Sequence, residues 1–380
     1  MRYAFRLAEL LGHTPDRKKR PGTIKAIVEY TGLDRHQVAA LLKNEAKYIP
    51  LEALSRLCDY LIEYGYASAA ELPGALFAVK PENFWELLAR RRRLDICVGV
   101  RRPPEEDSAQ TAWIVASDSV LLGEVLNGVS TLGGTAKVIA STATNPNRIP
   151  PHPEHLRQSL VWSPGTAADS DVVSRAQQVY EDFSESSGDK ALVALGSVKS
   201  NPIVELIYAS AFNATSFESQ DDVAVASDRK CPFFLRYRDN DPQPASFCSG
   251  LQLSKKEKSD QPGLYYEQED GTWEFAGGAT RGQDAALVFY IYREALGQLE
   301  MVLSGFSGRA TRLLARTLAR SADYFWPPIV QESSLQVGAY IIQFEASSET
   351  DDPEDILRTD ILANSKVIPL PAQAIARRME

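Results

Sequence analysis

The sequence predicts two regions of different fold class: an all-α N-terminal head and an α/β body with a mixed, Rossmann-like sheet. A chain of 380 residues exceeds the roughly 100–200 residues of an ordinary domain. Apolar residues recur at helical spacing through residues 1–80, whereas short apolar strands alternate with helical segments from residue 95 onward. We therefore predict a head at residues 1–75, a helical linker at 76–94 and a body at 95–380, which a loop-like stretch at 141–170 divides into two candidate subdomains.

Charge is distributed unevenly between these regions. The net charge is −9, yet residues 1–102 hold 18 Lys and Arg against 12 Asp and Glu, a balance of +6. The remaining 278 residues hold 23 against 38, a balance of −15. A basic head on an acidic body is typical of a protein of which only one end contacts nucleic acid or an anionic membrane.

The sequence also argues against several classes of protein. No apolar run approaches the roughly 18–20 residues that span a bilayer, and no signal peptide is evident at the N-terminus. The four cysteines show no C-x-x-C spacing, so we interpret them as reduced, buried thiols rather than metal ligands. They are Cys58, Cys97, Cys231 and Cys248. We expect a cytoplasmic protein.

Three helices separated by short breaks are predicted between residues 23 and 64. Thr23 begins the first, and Gly32 suits the left-handed conformation that ends a helix. Asp34, with Gln37 three residues later, forms a capping-box pattern at the start of the second, which continues to about residue 43. The third covers residues 51–64. A further amphipathic helix is predicted at residues 2–11.

Residues 23–45, followed by residues 49–58, resemble the helix-turn-helix of the Cro/C1-type (XRE-type) repressor family. In that family the second helix of the motif lies in the major groove, and its first residues contact base edges. The resemblance implies double-stranded DNA as partner and base contacts by Arg35, His36 and Gln37. The residues that it places near phosphates are Lys43, Asn44 and Lys47.

A basic loop precedes this motif, where the family usually has a Gln- or Glu-rich first turn. Its four cations are Arg17, Lys18, Lys19 and Arg20. We expect them either to add salt-dependent contacts with the DNA backbone or to shift how the head docks. The alternative for the head is a small helical bundle that binds a partner protein. The clustered charge favours DNA, and so does the ability of Arg and Gln to pair with guanine and adenine.

Four arginines, residues 90–93, end a helix that is predicted to start near Pro81. Cations at a helix C-terminus stabilise the helix dipole, and we expect these side chains to be solvated. Contact with the DNA backbone or with the acidic body is the alternative.

In the body, a small-residue loop lies between a predicted strand at 191–195 and a predicted helix at 203–212. Such a loop, next to a helix N-terminus, is typical of anion sites in α/β folds. Its candidate ligand contacts are Gly196, Ser197, Lys199, Ser200 and Asn201. The alternative is a plain turn in which Asn201 caps the helix.

A second loop of this kind follows predicted strands at 284–292 and 299–303. Its candidate contacts are Ser304, Gly305, Ser307, Gly308 and Arg309. Arg309 opposes the dipole in the first turn of a helix, so a neighbouring anion would stabilise it. Ser117 and Asp118, one of which is predicted to cap another helix, join these loops in one predicted crevice at the C-terminal ends of the strands. A hairpin with its turn at Asp270-Gly271 is predicted between the two loops.

Catalytic and metal-binding patterns are sparse. His152 and His155 lie in a Pro-rich stretch with no third ligand nearby, so no metal site is predicted. Glu205 is the only catalytic candidate, because a carboxylate near a nucleotide site can act on a glycosidic bond. We favour a solvated helix residue at this position.

The leading hypothesis is a transcriptional regulator. Its head would bind DNA, and its body would sense a small anionic or nucleotide-like effector and mediate assembly into a homodimer or higher homo-oligomer. One alternative is a nucleotide- or NAD-processing enzyme, cleaving a glycosidic bond, that carries the head as a DNA-binding or control module. Another is a protein whose body serves only in assembly.

Overall fold

The computed structural model describes residues 3–12, 23–70, 72–102, 112–134, 151–186, 188–220, 223–257, 259, 261–279, 282–332, 335–345 and 365–380. The predicted basic loop at residues 17–20 and the first part of the predicted subdomain break, residues 141–150, lie outside these ranges.

The head packs its helices around one apolar core and adds a short antiparallel pair of strands. Its described elements are β1 (Tyr3–Phe5), α1 (Leu7–Leu10), α2 (Thr23–Thr31), α3 (Arg35–Leu42), α4 (Leu51–Glu63) and β2 (Phe77–Val79). The predicted helix at residues 2–11 is therefore wrong in its first half, and the head is not all-α. Phe5 pairs with Phe77 across the strands, and their rings meet edge to face. This partner, 72 residues away, overrides the local helical pattern.

The body begins with α5 (Phe84–Ala89), every residue of which is buried. The strands that follow in the described residues are β3 (Arg93–Arg101), β4 (Trp113–Ile114), β5 (His155–Trp162), β6 (Lys190–Leu195), β7 (Phe233–Arg236), β8 (Ser249–Gly250), β9 (Gly263–Glu267), β10 (Trp273–Gly277), β11 (Gln283–Arg293), β12 (Gln298–Gly305), β13 (Val330–Glu332), β14 (Leu335–Glu345) and β15 (Ser365–Pro369). The helices are α6 (Ala116–Thr131), α7 (Asp169–Glu185), α8 (Ile203–Phe212), α9 (Gly308–Ser321) and α10 (Ala372–Met379).

Within the described residues, nine strands form one mixed sheet in the order β13-β14-β11-β12-β6-β3-β4, with β15 beside β14 and β5 beside β3. The strands β5, β3, β6 and β12 are parallel, whereas β11, β13, β14 and β15 continue the sheet in antiparallel pairs. The mixed sheet with helices confirms the predicted α/β character of the body. Its Rossmann-like assignment stays a prediction.

Helices cover both faces of this sheet. The cores contain α5, α6 and α9 on one face and α7 and α8 on the other. Successive residues of β6 alternate between the two cores, because strand side chains point to opposite faces. From β3 the chain passes to β5 on one side, and from β6 it leads to β12 on the other side. The space above the C-terminal ends of β3 and β6 is therefore a topological switch point.

The predicted loop at residues 141–170 is wrong for its second half, which contains β5. Most residues of β5 are exposed, because it lies at an edge of the sheet beside β3. A polar edge strand lacks the apolar run that marks a central one.

The predicted hairpin is confirmed: β9 and β10 pair antiparallel, and Gly271 in the turn has a φ of 86°. In the described residues these strands form a second sheet with β7 and β8, in the order β10-β9-β7-β8.

In the arginine cluster at the end of α5, Arg91 is buried and Arg90 and Arg93 are half-buried, so the prediction of solvated side chains is wrong for these three. Arg92 is exposed, as predicted. Arg91 is only 1% exposed and donates to Asp189 Oδ1 at 2.6 Å and to the Tyr292 hydroxyl at 2.8 Å. Every residue of α5 is buried, so Arg91 shortly after it lies inside the body, where Asp189 is within reach. The segment predicted as a linker divides accordingly: β2 pairs within the head, and α5 belongs to the body core.

Candidate functional site

The helices α2 and α3 form a helix-turn-helix in the head. Gly32 ends α2 with a φ of 73°, as predicted. The predicted capping box at the start of α3 is confirmed: the Gln37 amide donates to Asp34 Oδ1 at 2.8 Å, and the Asp34 amide donates to Gln37 Oε1 at 3.1 Å. Val38, Leu41 and Leu42 are buried against the core, so this packing fixes the orientation of α3.

The side chains predicted to contact bases lie at the first turn of α3. Arg35 and His36 are exposed, and Gln37 is half-buried in its cap. Lys43 and Lys47, predicted to contact phosphates, are also exposed. These residues are accessible to DNA, and their contacts with it stay predictions.

Asn44 has a role that the sequence did not reveal. Its side chain accepts from the Phe5 amide at 2.6 Å and donates to Glu294 Oε2 at 2.9 Å. Lys80 donates to the same oxygen of Glu294 at 2.7 Å, and Gln336 donates to the other. The buried Glu294 thus joins the end of α3 to the corner between β11 and β12. Asn44 contacts the body and is not a free phosphate ligand.

The predicted crevice exists at the switch point of the sheet. The three predicted segments, which are the start of α6, the loop after β6 and the loop after β12, all line one cavity of about 100 Å³. Arg101 and the turn at residues 238–242 complete its lining. Nine of the predicted ligand contacts line it: Ser117, Asp118, Gly196, Ser197, Lys199, Ser200, Gly305, Ser307 and Gly308. The remaining three, Asn201, Ser304 and Arg309, lie outside its lining.

Close packing fixes the loop after β6. A Cβ on Gly99 of β3 would lie 1.8 Å from the Ser200 carbonyl oxygen, and one on Gly196 would lie 2.3 Å from Ser200 Oγ. Asn201 is fully buried and donates to the carbonyls of Cys97 at 2.9 Å and Leu195 at 3.0 Å. These carbonyls end the shared ladder of β3 and β6, so Asn201 bridges the strands where they diverge. Its oxygen accepts from the Ile203 amide at 3.1 Å. The N-cap position of α8 belongs to Pro202, so the alternative that Asn201 occupies it is wrong by one residue.

Lys199 is the buried cation of the crevice. Its ammonium donates to Asp241 Oδ2 at 3.0 Å and to the Phe306 carbonyl at 2.8 Å, and it lies 4.1 Å from the centre of the Phe306 ring. Burial lowers the pKa of Lys199 to about 8, against the opposing attraction of Asp241. Lys199 therefore remains mainly charged at neutral pH. Among the described residues, the two acceptors occupy two of its three N–H groups.

Asp118, in the first turn of α6, is a buried carboxylate of the crevice. Burial raises the pKa of Asp118 to about 6, although Ser117 donates to it and the charge of Arg101 favours its ionised form. Neither Ser117 nor Asp118 caps α6, so that prediction is wrong. The N-cap position belongs to Val115, and both residues lie within the first turn.

Arg309 has its anion within the chain. Its Nε donates to Asp284 Oδ2 at 3.2 Å, and Ser307 donates to the same buried carboxylate. The expectation of a neighbouring anion is therefore fulfilled by Asp284. Ser307 also caps α9 by accepting from the Ala310 amide at 3.2 Å.

Several crevice residues were missed from the sequence. Arg238 donates to Asp241, which in turn accepts from Lys199, and Arg101 approaches from the end of β3. Burial raises the pKa of Asp241, but the hydrogen bonds from Arg238 and the charge of Lys199 outweigh this effect and lower it overall. Arg238 and Asp241 lie in a polar turn that no motif distinguishes from a surface loop. Three cations and two carboxylates thus line the crevice.

Glu205 lies outside the crevice lining and is not solvated, so our interpretation of it as a solvated residue is wrong. It is 1% exposed, and its carboxylate accepts from the amides of Phe217 and Phe247, the Ser246 hydroxyl and the Cys248 thiol. Burial raises the pKa of Glu205, although all four donors favour its ionised form and so offset part of the cost of burying it. The placement also removes the geometric basis for predicting that this carboxylate acts on a crevice ligand.

Cys97, Cys231 and Cys248 are buried and Cys58 is partly buried, and all four are free thiols, in agreement with the prediction of reduced, buried cysteines. Among the described residues, no group of three His, Cys, Asp or Glu side chains is placed to hold a metal. Within the same ranges, the helices include none of the length and hydrophobicity required to cross a membrane.

Comparisons of the chain with curated proteins and with solved structures found no match. A family model does match part of the head: residues 17–62 fit that of the Cro/C1-type HTH DNA-binding domain. This match covers the helix-turn-helix built from α2 and α3 and most of α4. The N-terminal region of the chain is therefore a Cro/C1-type helix-turn-helix DNA-binding domain.

Proposed function

We propose that the protein is a DNA-binding transcriptional regulator whose body senses a small anionic, nucleotide-like ligand in the crevice. The observation that carries the ligand proposal is the convergence of Asp118, Lys199 and Gly308, from segments far apart in sequence, at the switch point. Open α/β sheets bind their ligands at this position.

The chemistry of the crevice favours an anion. The first turns of α6 and α9 contribute to its lining, and helix N-termini present unpaired amides and a positive dipole end. Arg101, Lys199 and Arg238 outnumber the two carboxylates. A cavity of about 100 Å³ has room for a phosphate- or carboxylate-sized group, while the rest of a larger ligand would extend toward solvent.

Regulation also requires coupling and assembly. Proteins with this type of DNA-binding domain commonly bind two-fold symmetric sites as dimers, so we propose that the body mediates a homodimer or higher homo-oligomer. A ligand alters DNA binding only if it binds the DNA-competent arrangement with a different affinity from the incompetent one. The strand β12 extends from the crevice to the corner that contacts Asn44, and this continuity supports the proposed coupling between the two sites.

Calorimetric titration of the full chain with inorganic phosphate, AMP and NAD tests the crevice. Lys199→Met, which removes the charge but keeps an apolar stem, is expected to weaken anion binding about tenfold or more, since a hydrogen bond from a charged donor contributes about 1.5–3 kcal/mol. Lys366→Met, at an exposed lysine of β15, is the matched control and should leave binding unchanged. Equal affinities for the two variants would refute the crevice as an anion site.

Retardation of DNA from upstream of the coding sequence tests regulation. Binding should weaken as salt rises, and adding the ligand found by calorimetry should shift the midpoint. DNA binding whose affinity changes neither with salt nor with ligand would contradict the proposal of a ligand-responsive regulator.

A further inference from the structure

A second and larger cavity lies beside the loop that follows β6. It has a volume of about 300 Å³ and is bounded by the first turns of α7 and α8 and by residues 217 and 244–246. Its walls are mainly apolar and include Val172, Val173, Val198, Phe217, Pro244 and Ala245. The crevice lies against Ser197, Lys199 and Ser200, whereas this apolar cavity lies against Val198 and Pro202 of the same loop.

A buried charge builds the walls of this apolar cavity. Glu205 Oε1 accepts from the Phe217 amide at 3.2 Å and from the Phe247 amide at 3.0 Å. Its Oε2 accepts from the Ser246 hydroxyl at 2.6 Å. One carboxylate thus holds together two segments that are about thirty residues apart, and both segments contribute to the cavity lining. Burying a carboxylate is costly, and these hydrogen bonds offset part of that cost. Because they also hold both segments in place, the cavity is preformed.

Phe217 supports the same conclusion. Its φ of 61° lies in the left-handed region, which bulky side chains rarely adopt. Such a conformation is strained for a bulky side chain and persists only where surrounding contacts impose it. Here the bond to Glu205 holds the residue, and the half-buried ring forms part of the cavity wall.

We infer that the apolar cavity is a binding site for an uncharged, largely apolar ring compound, distinct from the anion of the crevice. Its size falls at the lower end of the range for small-molecule pockets, about 300–1,000 Å³, which suits a molecule of one or two rings. The charged residues of its described lining are Asp169 and Glu205, both acidic, so an anionic ligand is disfavoured. The apolar walls favour a ligand that gains free energy by leaving water.

The uncharged dye N-phenyl-1-naphthylamine is a suitable probe, because its fluorescence rises when it leaves water. With the full chain we expect saturable binding of one dye per protomer. Val173→Asp places a carboxylate in the wall, and Ala245→Trp fills the space; each should weaken dye binding tenfold or more. Val120→Asp is the matched control, since Val120 is a half-exposed valine on α6, outside the lining, and it should bind the dye normally.

Circular dichroism and thermal unfolding verify that each variant is folded, and the two wall variants alter different segments, so one failure to fold leaves the other test valid. Absence of saturable binding, or equal affinities of the wall variants and Val120→Asp, would overturn the inference. Inorganic phosphate and Lys199→Met should leave dye binding unchanged. If phosphate displaces the dye, the two ligands share one site, and the distinction between cavity and crevice is overturned. This outcome does not depend on the affinity that phosphate shows in the calorimetric test.

Discussion

The head and the body present their candidate sites in opposite ways. In the head, Arg35 and His36 project from a helix whose packing lies on its other side, and their cationic neighbours are exposed. In the body, Lys199 and Asp118 are buried, and burial shifts the pKa of each toward the uncharged form. Exposed charges are screened by salt, whereas buried charges are screened much less. Binding by the head should therefore respond mainly to salt, and binding by the body mainly to pH.

The largest effect is expected at the DNA surface. Replacing Arg35 and Gln37 together with Ala should lower affinity for the specific site by about a hundredfold, because each bidentate base contact contributes about 1–3 kcal/mol. Fluorescence anisotropy with labelled DNA measures this loss. Gln37→Glu is a useful partner variant, because it keeps the acceptor of the capping box but adds a negative charge. If it folds normally and binds DNA as tightly as the unaltered protein, Gln37 does not contact the DNA.

The next effect compares a buried carboxylate with an exposed one. Glu205→Ala leaves four donors without an acceptor and should lower the free energy of unfolding by about 3 kcal/mol. Glu52 pairs with Arg56 on the exposed surface of the head, and Glu52→Ala should change stability by only about 0.5 kcal/mol. Urea denaturation followed by circular dichroism measures both. Similar values for the two variants would contradict the proposed role of Glu205 in holding the cavity walls.

A third prediction concerns pH in the crevice. The pKa of Asp118 rises from 3.8 to about 6 on folding, so the folded state binds the proton more tightly. The contribution of Asp118 to stability should therefore fall by about 3 kcal/mol as pH rises through this window. Anion binding should strengthen below pH 6, where Asp118 loses its negative charge.

Asp118→Asn should remove this pH dependence, because the variant side chain carries no charge at any of these values. Unfolding measured across the acidic range, with phosphate titrations at the same points, provides the test. A variant that retains the full slope would assign the pH dependence to another group.

The smallest effect is expected where the two regions meet. Asn44→Ala removes the hydrogen bonds to Phe5 and Glu294 and keeps the left-handed φ of 59°. It should therefore lower the free energy of unfolding by about 1–2 kcal/mol. Asn44→Gly removes the same bonds but relieves the backbone, and it should cost less. Thermal unfolding, together with protease sensitivity where the head meets the body, distinguishes the two variants. A glycine variant less stable than the alanine variant would show that the backbone conformation is not strained.

Local patterns predicted those features that depend on neighbours in sequence. The Asp34–Gln37 cap and the helix at 203–212 were located correctly, because capping and helical periodicity operate over a few residues. The exposed edge strand β5 was missed, since its pattern is polar. Arg91 was predicted to be solvated, because its acidic partner Asp189 lies 98 residues away.

The sequence by itself determined that the head is a helix-turn-helix, and it identified which loops of the body line the crevice. Both conclusions rest on short-range rules of helix capping and strand-to-helix turns. Only the tertiary structure decided that Asp284 neutralises Arg309, that Asn201 bridges two strands and that Glu205 is buried behind the crevice loop. The physical reason is that burial and pairing depend on which segments the sheet brings together, and those segments lie tens of residues apart.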